Sequence, residues 1–129
     1  MLRGLFPRLF SQFREGGLIV GQFLVSNSGA TLTPTANCYS GLTAAGDSGQ
    51  YVVTLAGGAR KIVVVGLHVS LDDKDDPTDA RLAFVNTEDE INASAGTIPI
   101  TVLDVETASP VVADAFDGCV ITITLLVDK

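Results

Sequence analysis

A chain of 129 residues with 47% apolar side chains, only 6% aromatics and no tryptophan has the size of one domain, with a core of Val, Ile, Leu and Ala. Its formal charge of −7 argues against nucleic-acid or anionic-membrane binding, both of which depend on a basic footprint. Two cysteines and one histidine are too few soft ligands for a zinc site.

Charge and apolar residues are unevenly placed. Residues 1–16 carry Arg3, Arg8 and Arg14 against Glu15, a net of +2 that leaves −9 for the remainder of the chain. Such an arm either stays untethered, as chain ends often do, or docks on an acidic neighbour, another copy of the same protein included. Leu2, Leu5, Phe6, Leu9, Phe10 and Phe13 weigh towards docking, because otherwise their surface stays wet. Their spacing suits a short amphipathic helix with Pro7 near its first turn. Pro7, Arg8 and Arg14 interrupt any secretory pattern, so the arm is expected to be retained. The apolar run 17–25 is too short for a bilayer, which needs about 20 residues.

From residue 17 onward the chain reads as short strands separated by Gly, Ser, Asn, Asp and Pro. Residues 18–25 form the first predicted strand, closed by Ser26-Asn27-Ser28-Gly29, and a weaker one covers 37–42 before a loop over 44–49. In 50–55, Tyr51, Val53 and Leu55 alternate with Val52 and Thr54 at the strand period of two. Gly57-Gly58 reads as a turn that makes a hairpin with the next strand. That strand, 60–71, puts Val63, Val65, Leu67, Val69 and Leu71 on one face and Ile62, Val64, His68 and Ser70 on the other. Two apolar faces near one end predict a central position. Strands 80–86, 97–105 and 119–127 follow, the last alternating Ile121, Ile123, Leu125 and Val127 with Thr122, Thr124 and Leu126. Thr107-Ala108-Ser109-Pro110 is a loop. The expectation is an all-β, antiparallel β-sandwich or jelly roll of seven to eight strands over residues 17–129, with an extended N-terminal arm over 1–16.

Chemistry finds little purchase. The stretch Asp72-Asp73-Lys74-Asp75-Asp76-Pro77-Thr78-Asp79 offers oxygen ligands for calcium, but Lys74 sits among them and the EF-hand glycine and glutamate are missing. A solvated acidic turn is its ordinary reading. Glu88-Asp89-Glu90 lacks the contrasted environments of an acid-base pair. His68 lies between Leu67 and Val69 without a nucleophile or orienting acid, and is a sheet or interface residue. Gly57-Gly58 precedes a strand, not the helix end that cradles phosphate. Cys38 and Cys119 fit buried thiols in a reducing compartment, and Asn92-Ala93-Ser94 matches a glycosylation acceptor without a secretory signal to give it meaning. Sugar binding as the main task is disfavoured by the lack of tryptophan, with Tyr39 and Tyr51 the only tyrosines. No catalytic, cofactor-binding or metal residues are therefore assigned.

The segments Gly17-Leu18-Ile19-Val20-Gly21, Gly49-Gln50-Tyr51-Val52-Val53-Thr54-Leu55, Lys61-Ile62-Val63-Val64-Val65 and Ala113-Asp114-Ala115-Phe116-Asp117-Gly118-Cys119-Val120-Ile121-Thr122-Ile123-Thr124-Leu125 resemble small β-sandwich virion proteins of tailed bacteriophages. The layout is similar to capsid decoration or cement proteins and to short tail-associated proteins. The resemblance rests on layout, not on a diagnostic motif, and transfers no functional residues. It implies a non-enzymatic structural protein on the capsid surface of the virion, made in the host cytoplasm. As a homo-oligomer, a dimer or trimer, it would bind the major capsid protein. The arm is the natural tether, with Phe6, Phe10 and Phe13 burying apolar area and Arg3, Arg8 and Arg14 pairing with acidic groups. A tail-tip or fibre-associated receptor-recognition domain is the alternative.

Overall fold

Alternation at period two only specifies a strand if one face finds a core, and here two sheets supply it to each other. The computed structural model describes residues 17–27, 29–47, 49–70, 81–85, 91–104 and 117–129. The arm, the acidic stretch 72–79, Glu88-Asp89-Glu90 and the loop from Thr107 to Pro110 lie outside them. The described residues form eight strands and no helix: β1 Gly17–Ser26, β2 Thr31–Pro34, β3 Leu42–Asp47, β4 Gln50–Leu55, β5 Lys61–Val69, β6 Arg81–Val85, β7 Thr97–Asp104 and β8 Val120–Asp128. All pair antiparallel, in one sheet ordered β2-β1-β8-β5 and a second ordered β3-β4-β7-β6. The inner faces share one core, with Phe23, Val25, Ile62, Ile121, Ile123, Leu125 and Val127 from the first sheet meeting Leu42, Tyr51, Val53, Leu55, Ile98, Ile100 and Val102 from the second. Such a pairing of sheets is a β-sandwich arrangement.

β8 behaves as its sequence predicts: Ile121, Ile123, Leu125 and Val127 are buried, and the residues between them are half-buried. It runs centrally, with β1 on one side and β5 on the other. β1 contributes Phe23 and Val25 to the core, and at Gly21 it contributes no side chain at all. A Cβ there would stand 2.9–3.0 Å from Ile123, Leu42 and Phe23, so the neighbouring side chains fill its place.

Five expectations need correction. Gly57-Gly58 does not close a hairpin, because β4 belongs to the second sheet and β5 to the first. The segment is a crossover held by Gly58 N–H to Leu55 O (3.1 Å), Ala59 N–H to Ala93 O (2.7 Å) and Arg60 N–H to Asp128 O (2.8 Å). β5 is an edge strand, not a central one. Its two faces are also not strictly alternating. The register slips between Val64 and Gly66, a β-bulge. Ile62, Val64, Leu67 and Val69 therefore oppose Val127, Leu125, Ile123 and Ile121, all four of them core residues, while Val63, Val65 and His68 are exposed. Residues 37–41 lie outside any strand, and β3 runs through most of the segment 44–49 that the sequence presents as a loop.

Cys119 is buried, Cys38 is half-buried in the 35–41 connection, and the two are not joined to each other. Asn92 spends its side chain on its own turn, accepting from Ser94 Oγ at 3.0 Å and from Ala95 N–H at 3.1 Å.

Candidate interaction surface

The outward positions of the first sheet fall into rows across β1, β8 and β5. Leu18, Leu126 and Val63 share one row, since Leu126 pairs with both of the others. Three strands at about 4.8 Å spacing make that row roughly 10 Å wide. In the next, Val20 and Gly66 flank Thr124, and the bulge adds Val65 beside Gly66. Leu18 is 66% exposed, Val65 59% and Val63 39%, so an apolar strip faces outward at the end of the sheet where the described chain begins. Isolated exposed leucines need no explanation, but several in register on neighbouring strands form a patch.

One row further, the chemistry turns polar. Gln22, Thr122 and His68 oppose one another across the three strands. Gln22 Nε2 donates weakly to Thr122 Oγ1 at 3.5 Å, while its Oε1 accepts from Thr35 Oγ1 at 2.6 Å and from Asn37 Nδ2 at 3.4 Å. Thr35 N–H to Gln22 O (2.9 Å) and Tyr39 N–H to Val20 O (2.8 Å) lay the 35–39 segment along β1 beyond the end of β2. Tyr39 is exposed there. His68 thus stands exposed on an outer sheet face, opposite a threonine.

Charge frames the apolar strip on one side. Arg60 Nη2 contacts both carboxylate oxygens of Asp128 at 2.9 Å, and the neighbouring Lys61 is exposed. The outer face of the second sheet differs: Ala45, Val52 and Pro99 share a row beside Thr43, Thr54 and Thr97, and Val52 is exposed there.

None of the predicted partner-binding residues Arg3, Phe6, Arg8, Phe10, Phe13 and Arg14 falls among the described residues, so the structure places the arm's point of departure and not its side chains. The strip beside that point was not singled out in the sequence. Its signal lay in the outward residues of β1 and β5, which only the register assigns. Among the described residues, no three His, Cys, Asp or Glu side chains gather as a metal site requires, and no helix is long and apolar enough to cross a membrane. No family model matches the chain, and no match is found among curated proteins or solved structures. The class defined here is an all-β domain of two antiparallel sheets with an apolar outer strip.

Proposed function

We propose that the chain is a non-enzymatic virion structural protein that decorates or cements a phage capsid by binding major capsid protein subunits. The observation that carries this reading is the pairing of a two-sheet core, bearing exposed Leu18, Val63 and Val65 on one outer face, with a basic, phenylalanine-bearing arm that precedes its first strand. Both features concern burial against another surface and neither concerns chemistry. On this reading Phe6, Phe10 and Phe13 anchor the arm in apolar pockets of the partner, and Arg3, Arg8 and Arg14 pair with acidic groups around them. Each buried phenylalanine contributes roughly 1.5–3 kcal/mol before ordering costs. Assembly as a dimer or trimer repeats the contact over a lattice, and linked contacts gain by avidity. The three in-sheet hairpins β1-β2, β3-β4 and β6-β7 favour a plain sandwich over a jelly roll as the finer description.

The test is co-sedimentation of the purified full chain with expanded capsids that lack a decoration protein. Saturable binding at a fixed ratio to the capsid protein is the expected result, and failure to pellet with capsids overturns the reading. The alternative, a tail-tip or fibre-associated receptor-recognition domain, draws support from the outward polar row of Gln22, Thr122 and His68 beside Tyr39. It predicts competition by host cells and none by capsids.

A further inference from the structure

We propose that two copies of this chain pair through the outer face of the first sheet, about a two-fold axis running along the strands between β1 and β8. Leu18, Leu24, Val63 and Val65 are exposed on this face, and Tyr39 is exposed at its β1 margin. An axis in that position lays β1 of one copy over β8 of the other and β5 over the partner's 35–39 segment, and it keeps every row at its own height. Leu18 then meets the partner's Leu126, and Leu24 meets the partner's Val120, since each of these pairs shares a row within one copy. Val65, beside Gly66 in the row of Val20, comes over the partner's Tyr39, whose N–H bonds to Val20 O at 2.8 Å. The polar rows match in the same way. Gln22 meets the partner's Thr122, and His68 meets the partner's Thr35, whose N–H bonds to Gln22 O at 2.9 Å. Ser70, level with Val120, meets the partner's Thr33, level with Leu24. Apolar residues thus lie on apolar ones and polar on polar, which makes the face complementary to itself.

The area suits such a pair. Four strands at about 4.8 Å spacing, matched over the eight-residue register of β1 on β8 at about 3.3 Å per residue, present roughly 500 Å² per copy. Two copies together bury about 1,000 Å², the size at which a specific interface begins. Association is accordingly expected in the micromolar range, with monomer and dimer in exchange. Both first strands begin at the same end of the pair, so a surface approached from that end meets two copies at once, and linked contacts gain by avidity. The pairing also covers Gln22, Thr122 and His68, which takes that row away from any receptor while the dimer lasts. The inference goes beyond capsid binding and does not depend on it.

The experiment is sedimentation velocity of the native full chain from about 1 μM to about 1 mM, a span that brackets weak specific association. Leu18→Asp and Val65→Asp are compared with Val52→Asp on the outer face of the second sheet, with circular dichroism as a check on folding. The wild type is expected to pass from monomer to dimer within this range. Leu18→Asp and Val65→Asp should each weaken the dimer about tenfold or more, because each buries an unpaired carboxylate, while Val52→Asp should leave it unchanged. A wild type that stays monomeric throughout overturns the proposal; if Val65→Asp then also loses capsid binding, the face belongs to the capsid protein. A dimer that Leu18→Asp and Val65→Asp leave as tight as wild type overturns it too, since another surface would join the copies. The dimer can persist while capsid co-sedimentation fails, and the reverse, so the two readings fall separately.

Discussion

The Tyr51 hydroxyl donates a 2.9 Å hydrogen bond to the Gly29 carbonyl oxygen, so a buried side chain of β4 in one sheet ties down the β1-β2 turn of the other. The same turn is held from a third direction, since Gly29 N–H donates to Asp117 Oδ1 at 2.8 Å. Tyr51 is 2% exposed, and its ring belongs to the shared core. Replacing Tyr51 by Phe keeps the ring and strands the carbonyl. The expected cost is about 1–3 kcal/mol, read as a lower urea midpoint with an unchanged slope.

Gly21→Ala tests the packing between β1 and the other sheet. The added methyl meets Ile123, Leu42 and Phe23 at 2.9–3.0 Å, so side chains on both sheets must shift. Overpacking of this kind costs about 1–3 kcal/mol, and thermal unfolding should show a lower midpoint. A neutral result would mean that the three side chains relax without loss.

Gly96→Ala strikes the backbone instead. Gly96 has φ +75°, and a Cβ there would collide with the Leu55 carbonyl oxygen. Gly96 O also accepts from Leu55 N–H at 2.7 Å, a bond joining the end of β4 to the turn before β7. The substitution is expected to cost more than Gly21→Ala, about 2 kcal/mol or above, because backbone cannot rotate away as a side chain does. Hydrogen exchange at the Leu55 amide should speed up with it.

Arg60→Ala is expected to change stability little, despite two 2.9 Å contacts with Asp128. The Arg60 side chain is 68% exposed, and ion pairs in such settings contribute about 0–1 kcal/mol and weaken with salt. A loss well above that range in high salt would show that the pair supports the crossover into β5.

Strands with strong alternation were legible in the sequence. β4 matches its expected bounds, and β8 matches its expected faces, because Tyr51, Val53, Leu55 and the run Ile121, Ile123, Leu125, Val127 signal their own core side. Tertiary context decided the remainder. β3 contains Ala44, Ala45 and Gly46, which carry loop composition, and it is a strand because β4 offers a complete register from Leu42↔Leu55 to Asp47↔Gln50. β2 is four residues long and ends at Pro34, tolerable only at the sheet edge where it lies. The bulge at Val64/Gly66 exchanged the faces of β5 beyond it, moving Leu67 and Val69 inward and leaving Val65 exposed. Local sequence does not announce such a slip. The outer strip was hidden for the same reason, since its membership follows from register across three strands.

The proposed attachment of the domain to a capsid runs through the arm. Its most direct test measures binding of the full chain and of a Phe6→Ser, Phe10→Ser, Phe13→Ser variant to decoration-free expanded capsids. Saturable wild-type binding that falls at least about a hundredfold in the variant, from roughly 3 kcal/mol or more of lost apolar burial, is the predicted result. Equal binding by both proteins, or none by either, would contradict it.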